Sequence, residues 1–108
     1  MSLRLCLMAA SLAVASVPAH AAEGDAAAGK IKAYTCTGCH GIPGYNNVYP
    51  TYKVPKVGGQ NYNYLVLALT GYRDGEREHP TMESQASSLS EQDIKDIAAY
   101  FASSGKDQ

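Results

Sequence analysis

The chain has 108 residues, 45% of them hydrophobic and 18% charged, and a net charge of −1 at pH 7. That length leaves room for one small domain and little else. The near-neutral balance supplies no cationic field for nucleic acid and none for an anionic membrane surface.

At the start, Arg4 precedes an apolar run from Leu5 to Val17, and Ala19-His20-Ala21 sets small residues around one position. That order is the layout of a secretory signal peptide, with cleavage expected after Ala21. The run is shorter than the roughly 20 residues a membrane-spanning helix needs, so no stable membrane insertion is expected after cleavage. Cys6 lies near the front of the run and not just behind it, which disfavours a lipid anchor there. Residues 1–21 are therefore set apart as a leader, and residues 22–108 are read as one domain delivered to the periplasm.

Cys6 and His20 leave with the leader, as do Met1 and Met8. What stays is Cys36 and Cys39, one methionine at Met82, and the histidines His40 and His79. A domain this small hides only about 60–65% of the surface its unfolded chain exposes, so a bound group is expected to supplement the core. A disulfide between Cys36 and Cys39 would close too short a loop to contribute much.

Asp25 followed by AAAGKIKAY predicts a helix with an acidic N-cap, ending near the cysteines. Gly29 inside it is an anomaly, since mid-helix glycine costs about 1 kcal/mol relative to alanine; close helix contact or simple tolerance would explain it. Residues 41–60, GIPGYNNVYPTYKVPKVGGQ, show neither a period of two nor one of 3.6 and predict an ordered loop. Such a loop needs a surface to lie against, and a large flat cofactor would supply one.

Residues 61–72, NYNYLVLALTGY, are apolar through their middle, and leucine and alanine outnumber the single β-branched Val66 there, which favours helix over strand. Residues 73–89 are polar and unperiodic, a predicted loop in which Met82 is conspicuous. Ser90-Glu-Gln-Asp93 then opens a helix with a capping-box pattern. Ile94, Ile97, Ala98 and Phe101 repeat at helical spacing before Gly105 closes it. With no convincing strand pattern and no repeat, the expected fold class is all-α, a small helical bundle with long ordered loops.

The chemistry resides in Cys36-Thr-Gly-Cys39-His40. Three sites could use it: a covalent haem anchor, a dithiol redox pair, or part of a zinc site. A c-type haem needs two thiols spaced to meet two vinyl groups and a histidine that turns at once beneath the iron, and this order meets all three demands. A thioredoxin-like dithiol should follow a strand, and none precedes Cys36. Zinc wants four ligands, and beyond Cys36, Cys39 and His40 only His79 is at hand as a conventional soft or imidazole donor. Haem c, one per chain, is the favoured reading, with His40 as one iron ligand.

For the other axial position Met82 and His79 compete, three residues apart in sequence. A methionine in a polar loop is hard to explain as core filling, and His/Met ligation is an electron-transfer arrangement, so Met82 is preferred. The His40 ring needs an acceptor for its far N–H; no carboxylate lies close by in sequence, and a carbonyl from the Pro-rich loop is the natural substitute.

GDAAAGK, CTGCHG, PKVGGQNYNYL, YRDGERE, PTM and LSEQDIKDIAAYFAS occur in that order, covering nearly all of residues 22–104. In this the chain resembles class I c-type cytochromes, and in particular the single-haem unit that occurs twice in bacterial periplasmic di-haem carriers. The resemblance implies helices wrapped around a haem, with the first and last crossing where Gly29 meets Tyr100. It implies that the Pro55 carbonyl accepts the His40 N–H, that Val57, Ile97 and Phe101 touch the ring, and that Met82 is the distal ligand. The chain departs from such proteins in having one CTGCH and in lacking a glutamine near Ala68. The Tyr-rich stretch from Tyr45 to Tyr52 fits no part of the pattern.

The function expected is a one-electron carrier, not an enzyme, working with redox-protein partners in the periplasm. Its rivals are a haem enzyme or sensor with an open sixth site, and an electron-transfer subunit of a larger membrane oxidoreductase.

Overall fold

The computed structural model describes residues 24–104. The expected leader and the closing Gly105 lie outside the described residues. Helix α1, Ala26–Lys32, begins at Asp25, whose carboxylate accepts the N–H groups of Ala27 and Ala28, satisfying donors that have no partner within the helix. The chain then turns at Ala33 and restarts as α2, Tyr34–His40. One helix ending near the cysteines was expected; there are two, and both cysteines lie inside the second. Alanine is the best helix former, so nothing local marks the break. Ala33 is 0% exposed, and the turn seats it in the core.

The predicted loop of residues 41–60 contains a two-stranded antiparallel hairpin, β1 at Asn46–Val48 and β2 at Thr51–Lys53. Asn47 pairs with Tyr52 in its register. Asn47 Nδ2 donates to the Pro50 carbonyl at 2.6 Å and Thr51 Oγ1 to the Val48 carbonyl at 2.9 Å, closing the turn. The half-buried members of the strands are Asn47 and Tyr52, while Val48 is exposed. Burial therefore alternates where hydropathy does not, which hid the strands from a search for apolar alternation.

Helix α3, Tyr62–Asp74, is capped by the Asn61 side chain and ends at Gly75, which adopts a left-handed φ of 77°. A further helix, α4 at Pro80–Ala86, stands inside the predicted loop of residues 73–89. His79 is its N-cap and Pro80 opens its first turn, the position where proline's missing N–H costs nothing. Its seven residues bury only Ala86, too few to print an apolar period. Helix α5, Glu91–Ser103, carries the complete capping box: the Ser90 N–H donates to the Asp93 carboxylate, and the Asp93 N–H to Ser90 Oγ, both at 3.0 Å. The fold is helical, as expected, with the hairpin as its small strand component.

Helix α5 is the central element, packed by α1 on one part of its surface and by α3 on another. Ala33, Leu65, Ile97, Ala98 and Phe101 form the core, with Val57, Leu69 and Leu89 against it. Gly29 is buried at the crossing of α1 and α5, where an added Cβ would stand 1.9 Å from the Asp96 carbonyl oxygen and 2.9 Å from Tyr100 Cβ. The glycine is there because two backbones meet. Among the described residues no helix is long and apolar enough to cross a membrane.

Beside that crossing, Asp96 is 3% exposed and fully partnered. It accepts from the Asp25 N–H at 2.8 Å, from Gln92 Nε2 at 2.8 Å and from Lys32 Nζ at 2.6 Å. Burial pushes its carboxyl up, but Lys32, the Asp25 N–H and Gln92 together outweigh that and hold it below its ordinary value. Asp93, which shares Lys32 at 2.9 Å, is lowered to about 2 by the Ser90 N–H first and Lys32 second. Removing the hub, Asp96→Ala, is expected to cost about 2–3 kcal/mol at neutral pH, because several charge-assisted bonds go at once.

The sign of the pH dependence follows from both carboxyls being depressed. Their contribution is complete above the unfolded carboxylate value of about 3.9 and fades as pH falls toward about 2. Urea denaturation across that window should show stability declining with acid, and a shallower decline in Asp93→Asn.

Candidate functional site

Helices α2, α3 and α4, with the segment between β2 and α3, enclose a cavity of about 360 Å³. From α2 come Cys36, Cys39 and His40; from the segment, Pro55 and Val57; from α4, Met82. Helical spacing explains the α2 contribution, since residues three and four apart share a face. Both cysteines are free thiols and partly buried. Burial pushes the Cys36 thiol above its ordinary value, against weaker opposing hydrogen bonds from Thr35 and its own backbone. A raised thiol is a poor candidate for an exchanging dithiol, which depends on a stabilised thiolate.

His40 Nδ1 lies 2.7 Å from the Pro55 carbonyl oxygen. A carbonyl can only accept, so Nδ1 carries a proton there and Nε2 is the nitrogen left for another partner. That bond also fixes the ring plane, so the free nitrogen has one orientation. Met82, expected in a loop, is held in the first turn of α4 and is partly buried. His79 lines the same cavity, but its Nδ1 faces the Met82 N–H at 3.4 Å as the helix cap. Both candidates of the sequence thus line the cavity, and the Nδ1 of His79 is engaged as the cap.

Val57 and Pro55 line the cavity. Ile97 and Phe101 do not; they lie in the core behind it, packed with Leu65. Much of the cavity wall comes from α3, through Tyr64, Leu65, Ala68, Leu69 and Tyr72. Sequence reasoning had missed these as site residues, although the apolar run of residues 61–72 was their signal. Lys53, Lys56 and Arg77 also border the cavity, and no carboxylate does among the described residues. The Arg77 guanidinium stacks over Tyr72 at 5.0 Å and Tyr64 at 5.9 Å.

The zinc and dithiol readings both fail on this geometry. Among the described residues no three His, Cys, Asp or Glu side chains are grouped to hold a metal ion, as a zinc site requires. The only sheet among them is the β1–β2 hairpin, which follows the cysteines and does not precede them.

A profile of the family described as cytochrome c matches residues 21–105. The chain belongs to the cytochrome c family. Its cofactor is accordingly covalently bound haem c. The residues present fit that group: free thiols and an oriented imidazole share one wall, an apolar helix forms another, and the cations at the border suit the haem carboxylates.

Among cytochromes c, this one is similar to cytochrome c4 of Pseudomonas aeruginosa, 48% identical over 85 residues that make up 79% of this chain and 40% of that protein. It is similar also to cytochrome c-554(548) of Halomonas halodenitrificans, 45% identical over 83 residues, 74% of this chain and 96% of the relative. The crystal structure of reduced recombinant cytochrome c4 from Pseudomonas stutzeri superposes with a TM-score of 0.56 at 28% identity, covering 76% of this chain and 50% of the other. The chain therefore spans well under half the length of the Pseudomonas aeruginosa protein and nearly the whole of the Halomonas one.

Proposed function

We propose that this cytochrome c holds a single haem and carries single electrons between redox proteins in the periplasm, catalysing no reaction of its own. Residues 1–21 serve as the cleaved export leader and residues 22–108 as the mono-haem domain. Cys36 and Cys39 form the two thioethers, and His40 Nε2 and the Met82 sulfur are the axial ligands. The observation that carries this reading is that all four side chains line one cavity although they come from two separate helices. The single CTGCH supports one haem per chain.

When bound, the haem supplies an iron that passes between Fe(III) and Fe(II) with no bond made or broken. The protein's contribution is to keep the surroundings unchanged through that cycle. Pro55 holds the His40 ring by its Nδ1–H, and the α3 wall with Val57 lays apolar surface along the site. Ile97 and Phe101 back that wall from the core. A thioether in the sixth position favours the reduced state, which suits a carrier that must accept electrons readily. Encounters with donor and acceptor proteins are then expected to be small and transient.

The purified protein tests this directly. It should be red, heavier than residues 22–108 by one haem, and show a sulfur-to-iron charge-transfer band when oxidised. Reduced, it should ignore carbon monoxide. Ready formation of a carbon monoxide adduct would instead indicate an open sixth position and a reactive haem.

A further inference from the structure

The hairpin is the part of the chain that the electron-carrier reading leaves without a task. None of its strand residues is buried, and a two-stranded hairpin has little stability of its own. Its inward side chain Tyr52 nevertheless makes a specific connection. Tyr52 Oη and Thr81 Oγ1 are 3.0 Å apart in a hydrogen bond. The Tyr52 ring stands edge-on to His79, 4.9 Å between centroids at 87°. Tyr72 of α3 meets the same imidazole at 6.4 Å and 76°. His79 and Thr81 flank the start of α4, and Met82 follows immediately.

We propose that the β1–β2 hairpin is a strap that, through Tyr52, holds the first turn of α4 and so keeps Met82 turned into the cavity. Helix α4 has seven residues and buries only Ala86; a helix that short has no stability without tertiary support. Its main helix neighbour is α3. The strap supplies a second anchor, at the end that carries Met82. Tyr52 is thus a positioning residue, and the quantity it controls is how often the first turn swings away and admits an outside ligand. The proposal rests on Met82 being the axial ligand.

The experiment uses the holoprotein and imidazole as the probe. Tyr52→Phe and Thr81→Val each delete one half of the same hydrogen bond and keep the side-chain volume. Each should speed imidazole binding to the oxidised protein about three- to tenfold, the span one hydrogen bond allows. The double variant should be no faster than the faster single one, because both remove one interaction. Tyr49→Ser, at the exposed tip, should bind at the wild-type rate; a general loosening of the hairpin would accelerate it too. Wild-type rates in both single variants, or effects that multiply in the double, overturn the strap while leaving Met82 ligation standing. Absence of the charge-transfer band from the wild-type protein overturns the ligation reading itself.

Discussion

Gly29→Ala is expected to cost about 3 kcal/mol or more, at the upper end of what overpacking a close contact does. The added methyl would stand 1.9 Å from the Asp96 carbonyl oxygen, 2.5 Å from its carbon and 2.9 Å from Tyr100 Cβ. Two of those neighbours are backbone, so no rotamer change relieves the clash and α1 must move off α5. That movement pulls on the Lys32 contacts to Asp93 and Asp96 as well. Gly38→Ala is the matched control, since an added Cβ there meets nothing within 4 Å. It should be neutral or stabilising by up to about 1 kcal/mol, the ordinary helix preference of alanine over glycine. Chemical denaturation of both variants decides the matter. A Gly29→Ala loss near zero would mean that the crossing has room the geometry denies.

The second large effect concerns Met82→Ala. Truncation removes the thioether that α4 presents to the cavity, while its position, partly buried on a short helix, lets the fold survive. The oxidised protein should lose its charge-transfer band and the reduced protein should bind carbon monoxide. On the proposed ligation, the reduction potential should fall by a sizeable part of the roughly 0.8 V over which axial ligands tune haem, because a thioether favours reduced iron. His79→Ala should keep the band, because on the proposed ligation the sulfur stays, while loss of the cap loosens the first turn of α4. If instead His79→Ala abolishes the band's counterpart in the spectrum and Met82→Ala changes nothing, the two residues exchange roles.

Cys36-Thr-Gly-Cys39-His40 was readable in sequence because its chemistry is local: five consecutive residues carry both thiols and an imidazole. The α5 capping box and apolar spacing were equally readable, since caps and helical period are short-range properties. The break at Ala33 was not, because alanine gives no signal to stop and only burial in the core selects the turn. The hairpin and α4 escaped for a related reason: their inward faces are polar or very short, so the periods that announce elements are missing.

By itself, the sequence determined the cofactor chemistry and the helical class, and it supplied the candidates for the proposed iron ligands. The tertiary structure decided which residues share a cavity: Met82 of α4 lines the same one as the thiols of α2, and so does His79, whose Nδ1 caps that helix. It also set the α3 face along the cavity, with Ile97 and Phe101 in the core beside Leu65. The physical reason is one of range. Spacing and capping act over a few residues, whereas the wall a side chain joins is set by how whole helices cross, and that depends on contacts such as Gly29 against Asp96 that lie far apart in the chain.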